Sequence, residues 1–312
     1  MTAASTAPAT TILDAPEARF PLRLGIENKR IRELFHNATR QQWNPATDIA
    51  WGDVHPEQYD DRHLRAARMY WSRRAWGEYG AISESPALQI RFCQERCVPD
   101  MALFFSIRSQ EESRHAEVCY RMAEALGGYF EEPAATAFQG SVATHGIRKM
   151  ALDPDISLEG TIAALVCAAE EIAFDVFRHL IEITVNPVAR QVSRMILRDE
   201  VRHCAFGWAF LEQRMPQLTP QQREGVRQAV ITMIEKVELN GYHSSWLAPD
   251  NPASLAEMEV DRLTWEAGLG ATTEELEKPI FLKSIAAMRK RMSDAWGLEI
   301  PMFTHRKFSA PF

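Results

Sequence analysis

The sequence lacks the features that define membrane and nucleic-acid-binding proteins. No run of eighteen apolar residues occurs in its 312 residues, so no segment is expected to span a membrane. The formal net charge of -7 and the isoelectric point near 5.8 argue against a nucleic-acid partner. Residues 1–20 are rich in Ala, Thr and Pro and contain no basic segment followed by an apolar one. They are expected to form a flexible tail and not a signal peptide.

Cysteine is scarce and its spacing matches no metal-binding or disulfide pattern. The five cysteines are an odd number and fall within helical patterns: Cys93, Cys97, Cys119, Cys167 and Cys204. This usage favours a reducing cytoplasm. Hydrophobic residues make up 46% of the chain, which is enough to bury a large core. Residues 21–312 are expected to form a single domain.

Alternating strand patterns are also lacking, and helical periodicity extends over most of the chain. It predicts helices at 27–42, 61–97, 99–126, 157–184 and 187–215, and further helices after Thr219, around 255–268 and around 273–296. Residues 129–157 are interpreted as a long crossover between two helix pairs. The predicted fold class is all-α: a four-helix bundle over about 61–215, preceded by a short helix and followed by a helical layer at 216–312.

Two similar pentapeptides are the most informative feature of the sequence. Glu111–His115 and Asp199–His203 both have the form acid-Glu-x-Arg-His, and each lies in a predicted helix. A Glu and a His three residues apart lie on one helical face. Two such helices, with two more that each present a Glu, build the six-ligand di-metal site of ferritin-like bundles. The chain therefore offers Glu112, His115, Glu200 and His203 as metal ligands.

A Glu-x-x-His pattern alone is weak, because roughly one is expected by chance in a chain of this length. Glu33 and His36 form such a chance example, without the flanking acid and Arg. They are interpreted as an ordinary surface or core pair.

The other two ligands must come from the first and third bundle helices. Glu170 shares its helical stripe with apolar residues, whereas the stripe of its neighbour Glu171 is charged. By the same argument Glu78 is preferred to Glu84 in the first helix. Glu171 and Glu84 remain the alternatives.

Residues around these ligands suggest supporting roles. Glu111 and Asp199 are candidates to orient the imidazoles, and Arg114 and Arg202 could balance the buried carboxylates. Glu171, if not a ligand, is placed with Glu111 and Asp199 in this surrounding layer. Four residues are predicted to line an apolar substrate pocket beside the metals: Cys119, Val166, Phe174 and Phe177.

The paired motifs resemble the ferritin-like di-iron carboxylate superfamily over about residues 65–215. The segment Gly77–Ile82 is similar to the one that contains the first glutamate ligand of multicomponent monooxygenase hydroxylases. The longer first spacing, Glu78 to Glu112, resembles the p-aminobenzoate N-oxygenase group. Cys119 replaces the radical tyrosine of ribonucleotide reductase small subunits, and Ile196 stands where the N-oxygenase has an extra histidine. Phe174 stands where methane-monooxygenase-type hydroxylases have a threonine.

This resemblance implies a function. Two Fe ions, or Mn and Fe, would be bound, and O₂ would be activated to hydroxylate or N-oxygenate a small organic substrate. Electrons could come from a reductase, a ferredoxin or the substrate, and a homodimer is expected. The alternatives are a radical-generating or metal-bound subunit of a partner enzyme, similar to a ribonucleotide reductase small subunit, and a ferroxidase.

Overall fold

The structure is a computed structural model that describes residues 23–131 and 150–312. Within these ranges it consists of helices and contains no strand. The main helices are α1 (Lys29–Arg40), α2 (Asp61–Gln94), α3 (Pro99–Ala125), α4 (from Leu158 to Ile183), α5 (Pro187–Arg214), α6 (Pro220–Lys236), α7 (Pro252–Glu266) and α8 (Glu274–Trp296). The predicted all-α class is confirmed. No described helix is both long and apolar enough to cross a membrane.

Local sequence signals explain where the helices begin. The Asn186 side chain accepts hydrogen bonds from the backbone N–H of Val188 and Ala189, and Pro187 opens α5. Ser157 caps α4 in the same way through Gly160 N–H, at 3.0 Å. At the other end of a helix, Gly127 follows α3 with φ of +114°, a conformation that favours glycine. The predicted boundaries therefore agree with the structure to within a few residues.

The helix α4 is not uniform. An α-helical turn, Leu158–Ile162, leads into a π-helical segment, Ala163–Ala169, and α-helix resumes over Glu170–Ile183. The wider turn changes which residues share a face upstream of Glu170. Gly207 of α5 lies against this segment, and a Cβ atom there would come within 2.7 Å of Val166 Cγ1. Glycine thus allows α5 to approach the π-helical turn closely.

The four long helices α2, α3, α4 and α5 form the bundle, with α2 against α3 and α4 against α5. The helix α1 packs on α3 and α5, α6 on the π-helical segment, α7 on α2, and α8 on α4. One end of the bundle is filled by an aromatic cluster of buried rings: Phe92, Phe104, Phe105, Phe206 and Phe210. Such clusters contribute much of the apolar burial that stabilises a core.

Two predictions concern residues outside the described ranges. The tail predicted at 1–20 lies outside them, and so do residues 132–149 of the predicted crossover. The division of residues 21–312 into a bundle and a C-terminal layer stays a prediction.

Candidate metal centre

The bundle brings together all six residues that the sequence suggested as ligands. Glu78 comes from α2, Glu112 and His115 from α3, Glu170 from α4, and Glu200 and His203 from α5. Their potential ligand atoms form two overlapping groups, each within 4.8 Å: Glu78, Glu112, His115 and Glu200, and Glu112, Glu170 and His203. Glu112 belongs to both groups, so its carboxylate would help to hold metal in either one.

Both histidines direct the same ring atom toward the carboxylates. His115 Nδ1 lies 3.1 Å from Glu200 Oε1 and 3.5 Å from Glu112 Oε2. His203 Nδ1 lies 3.0 Å from the other oxygen of Glu200 and 3.4 Å from Glu112 Oε1. Glu112 and Glu200 therefore each face both imidazoles, one with each oxygen. The site is nearly symmetric about the seam between α3 and α5.

The outer ring nitrogens contact acids from the opposite helix. His203 Nε2 lies 2.9 Å from Glu111 Oε2, and His115 Nε2 lies 3.3 Å from Asp199 Oδ2. An acid in this position fixes the ring and directs the other nitrogen toward a metal. The Arg202 guanidinium donates to both acids, and Arg114 Nη2 lies 3.2 Å from Asp199 Oδ2.

Trp43 is a further member of this outer layer that the sequence did not reveal. Its indole Nε1–H donates to Asp199 Oδ2 at 2.8 Å, and the side chain is buried. Trp43 lies in the connection between α1 and α2, far from any motif, so no local signal indicates this role. It fixes the Asp199 carboxylate, which in turn faces His115.

Several buried atoms at the centre have no hydrogen-bond partner. Glu112 Oε2, His115 Nδ1 and Glu170 Oε2 are all in this state, since the 3.1 Å approach of His115 Nδ1 to Glu200 Oε1 lacks hydrogen-bond geometry. Leaving a buried polar atom unpaired costs roughly 1–3 kcal/mol, so their convergence calls for a ligand. Carboxylate oxygens with two imidazoles suit Fe or Mn. The residues present therefore fit a two-metal cofactor.

The electrostatics of the cluster favour cations. Burial raises the pKa of the Glu170 carboxyl to about 8. Burial opposes protonation of His203, but the Glu200 and Glu111 carboxylates raise its pKa to about 10. Burial would also raise the pKa of Glu200, yet the neighbouring histidines hold it well below its usual range. Glu170 and His203 thus hold protons at atoms for which metal ions would compete, and Glu200 stays ionised as a ligand must.

Arg108 is a charged residue at the centre that the sequence reasoning missed. Its Nη2 lies 3.1 Å from Glu112 Oε1 and 3.4 Å from Glu84 Oε1, and it contacts Glu170 Oε1. Its role could have been inferred from the sequence, because Arg108 lies one turn before Glu112 on the same face of α3. Glu84, the alternative to Glu78, was assigned to a charged stripe but is buried beside Arg108.

The second alternative ligand, Glu171, lies outside the cluster. Its carboxylate accepts a hydrogen bond from Trp208 Nε1 and lies 3.4 Å from Arg291 Nη1. Its side chain is also partly exposed. The expectation that Glu171 surrounds or binds the metals therefore does not agree with the structure, because it faces α8 and not the bundle axis.

A cavity of about 440 Å³ opens on the cluster, with Glu78, Glu170 and Glu200 in its wall. Of the four residues predicted to line a pocket, Phe177 lines this cavity, and Cys119, Val166 and Phe174 do not. Val166 was assigned by α-helical spacing, whereas the π-helical segment turns it toward Gly207. Cys119 is fully buried in contact with Arg74, and burial raises the pKa of its thiol to about 12.

Comparison with known proteins gives the same class of fold. Residues 102–240 match the model of the family described as P-aminobenzoate N-oxygenase AurF. The solved structure of an R2-like ligand-binding oxidase with an aerobically reconstituted metal cofactor is similar, with a TM-score of 0.62 and 15% identity. That match covers 85% of this chain and 93% of the other. No curated protein sequence matches the chain.

Two further structures of the same kind agree. The R2-like ligand-binding oxidase from Sulfolobus acidocaldarius has a TM-score of 0.61 at 15% identity, over 85% of this chain and 90% of the other. A point mutant of an R2-like ligand-binding oxidase, described with an aerobically reconstituted Mn/Fe cofactor, has a TM-score of 0.57 at 15% identity. That match covers 85% of this chain and 94% of the other. These similarities show that the chain has the fold of the R2-like ligand-binding oxidases.

Proposed function

We propose that the protein is a non-haem oxidase with two metal ions, Fe/Fe or Mn/Fe, that uses O₂ to hydroxylate or N-oxygenate a small organic substrate. One observation supports this most directly: six ligand-type residues, three of them with buried unpartnered atoms, converge beside a cavity of organic size. The matched family model and the similar structures, whose names are those of an N-oxygenase and of oxidases, support the same class.

In this proposal Glu78, Glu112, His115, Glu170, Glu200 and His203 hold the metals. When bound, two such ions supply the redox chemistry that reduces O₂. The chain itself orients the ligands: Asp199 faces the outer nitrogen of His115, and Glu111 that of His203. A fixed ligand set leaves room for O₂ and substrate on the cavity side.

Two arginines hold carboxylates in place and compensate charge. Arg74 Nη2 donates to Glu78 Oε1 at 2.7 Å, and Arg108 contacts Glu84, Glu112 and Glu170. The guanidinium of Arg74 also lies over the Phe177 ring, 4.1 Å from its centroid. Phe177 and Arg74 thus define the boundary between the metal ligands and the cavity.

A ferroxidase or iron store has no use for an organic-sized cavity with apolar walls, so we favour an oxidase of organic substrates. We propose that a small organic molecule is the substrate and that a reductase or ferredoxin supplies electrons. A homodimer in a cytoplasmic setting is also proposed.

The decisive experiment measures iron and O₂ together. Protein is loaded anaerobically with two equivalents of Fe(II) and desalted, and bound iron and O₂ consumption are then determined. We expect about two iron ions per chain in the wild type and a large loss of iron and O₂ consumption in Glu112→Ala and His203→Ala. Glu33→Ala and His36→Ala provide matched controls, because that pair has the same spacing and both residues are exposed.

Equal iron binding by all five proteins would show that the six residues do not hold metal. Two iron ions without O₂ consumption, in the presence of a reductant, would contradict the oxidase proposal and leave the metal site standing.

A further inference from the structure

The end of the cavity away from the metals has its own group of polar side chains. Arg73 on α2 contacts Asp261 on α7, and the Ser245 hydroxyl donates to the same Asp261 carboxylate. Glu257, one turn before Asp261 on α7, and Thr272 also line the cavity. None of these residues belongs to the metal cluster.

Glu257 lacks a hydrogen-bond partner in the structure, as do the buried atoms Arg73 Nη1 and Thr272 Oγ1 of the same cavity wall. Glu257 is 3% exposed, lines the cavity, and its Oε1 atom is buried without a hydrogen bond. Four other acids of the wall lie close to cations: Glu78 to Arg74, Asp261 to Arg73, Glu259 to Arg262, and Glu274 to Lys307. Glu277, which also lines the cavity without such a cation, accepts hydrogen bonds from Ser244 and Trp246. Among the described residues, no Lys, Arg or His nitrogen lies within 4 Å of the Glu257 carboxylate.

The balance of buried charges at this end of the cavity indicates that a positive charge is lacking. One cation, Arg73, serves two buried carboxylates here: it contacts Asp261 directly and acts on Glu257 only from a greater distance, so one carboxylate is in excess. Burial raises the pKa of Glu257 to about 7, so its ionised form is held at an energetic disadvantage that a bound cation would remove. A charge-assisted hydrogen bond from an ammonium group would satisfy Glu257 Oε1.

The cavity wall also contains a group of apolar side chains. Val176, Phe177, Leu180, Trp246 and Met258 contribute to it. Arg73 and Glu78 are five residues apart on α2, which is about 7.5 Å of helix. A ligand anchored near Arg73 and Glu257 therefore places an apolar body, not its charged end, beside Glu78.

We propose that the cavity binds an organic amine with an apolar body, whose ammonium group is recognised by Glu257. This inference rests on the proposed function, since it specifies the substrate class of the same site. In this proposal Glu257 recognises the substrate. The atom that is oxidised belongs to the part of the substrate that lies near the metals.

The test uses three probes with one carbon skeleton: 3-phenylpropylamine, 3-phenylpropan-1-ol and 3-phenylpropionate. Their binding to iron-loaded protein is measured anaerobically by isothermal titration calorimetry. We expect the amine to bind more tightly than the other two. Glu257→Gln should weaken amine binding about tenfold to hundredfold and leave the alcohol unchanged.

Glu259→Gln is the matched control, because Glu259 lies on the same helix, lines the cavity, and is already paired with Arg262. It should leave amine binding within about twofold. Glu257→Gln removes an unpaired buried charge, so the variant is expected to fold, which thermal unfolding checks.

Amine binding that is equally strong in Glu257→Gln, tighter binding of the carboxylate, or no binding of the amine would each overturn the inference. Iron content is measured on the same samples. If the chain holds no iron, the titration is repeated on the metal-free protein, where the effect of Glu257→Gln still decides the recognition role. Failure of the metal proposal and failure of the amine proposal are thereby distinguished.

Discussion

Glu111 on α3 contacts His203 on α5 through the nitrogen that faces away from the metal cluster, at 2.9 Å. Asp199 on α5 has the same relationship to His115 on α3, at 3.3 Å. The acid of each pentapeptide therefore orients the histidine of the other one. The two motifs form one unit, in which neither helix can shift without disturbing both imidazoles.

Replacement of Glu111 by Ala should weaken metal binding. We expect affinity for Fe(II) to fall about tenfold to hundredfold, because His203 loses the group that orients it. Competition with a metal chelator would measure this loss. Glu117→Ala is the control, since Glu117 is exposed on the same helix and pairs with Arg121. Equal affinity in both variants would show that Glu111 does not orient His203.

Glu170 and Glu171 are adjacent, yet their replacement should have different effects. Glu170→Ala removes a carboxylate from the cluster and should lower iron content toward one ion per chain. Glu171→Ala removes the acceptor for Trp208 Nε1 and should keep two ions, with a loss of about 1 kcal/mol in the free energy of unfolding. Iron analysis and urea unfolding measure the two quantities. Loss of iron in Glu171→Ala alone would contradict the assignment.

Arg108 should contribute most to the free energy of unfolding when the metals are absent. In the metal-free protein, Arg108→Met leaves Glu84, Glu112 and Glu170 buried without this cation, so unfolding should require about 3–5 kcal/mol less free energy. Bound Mn(II) supplies positive charge to the same carboxylates, and the deficit should shrink. Urea unfolding with and without Mn(II) tests this, with Arg121→Met at the partly exposed surface of α3 as control. An equal deficit in both states would rule out charge compensation.

Glu277 should make stability depend on pH. It is buried where it accepts hydrogen bonds from Ser244 and Trp246, and burial raises its pKa from 4.5 to about 7. The folded state then holds a proton that the unfolded state has lost. Glu277 therefore lowers the free energy of unfolding as pH rises from about 4.5 to about 7, by up to about 1.4 kcal/mol per unit.

Glu277→Gln should remove this contribution to the slope of the free energy of unfolding against pH. Urea unfolding of metal-loaded protein at several pH values measures that slope. Exposed Glu275→Gln serves as the control. The pKa of Glu275 is lowered, chiefly by a backbone hydrogen bond, so this residue would raise the free energy of unfolding as pH rises. A wild-type slope that is unchanged in Glu277→Gln would contradict the prediction.

Much of the architecture could be predicted because its signals are local. Asn186 and Pro187 mark the start of α5, Gly127 follows the end of α3, and apolar periodicity selects the buried faces. The face argument selected Glu78 and Glu170, and both lie in the carboxylate and histidine cluster of the structure. Each of these inferences needs only the chemistry of neighbouring residues.

The substrate side of the site could be predicted less well. The π-helical segment before Glu170 packs against α5 and α6, and it places Val166 against Gly207 and not in the cavity wall. The cavity is closed by α7 and by loops after α6, far along the chain from the motifs. Its acidic end at Glu257 lies beyond the reach of any local pattern.

By itself, the sequence determined the helices and the types of ligand available, since a Glu and a His three residues apart share a face in any α-helix. Tertiary structure alone decided which groups meet across the seam: Glu111 with His203, Asp199 with His115 and Trp43, and Arg108 with Glu84 and Glu170. Such pairings depend on the register between helices. Packing of whole side-chain faces sets that register, and no single segment encodes it.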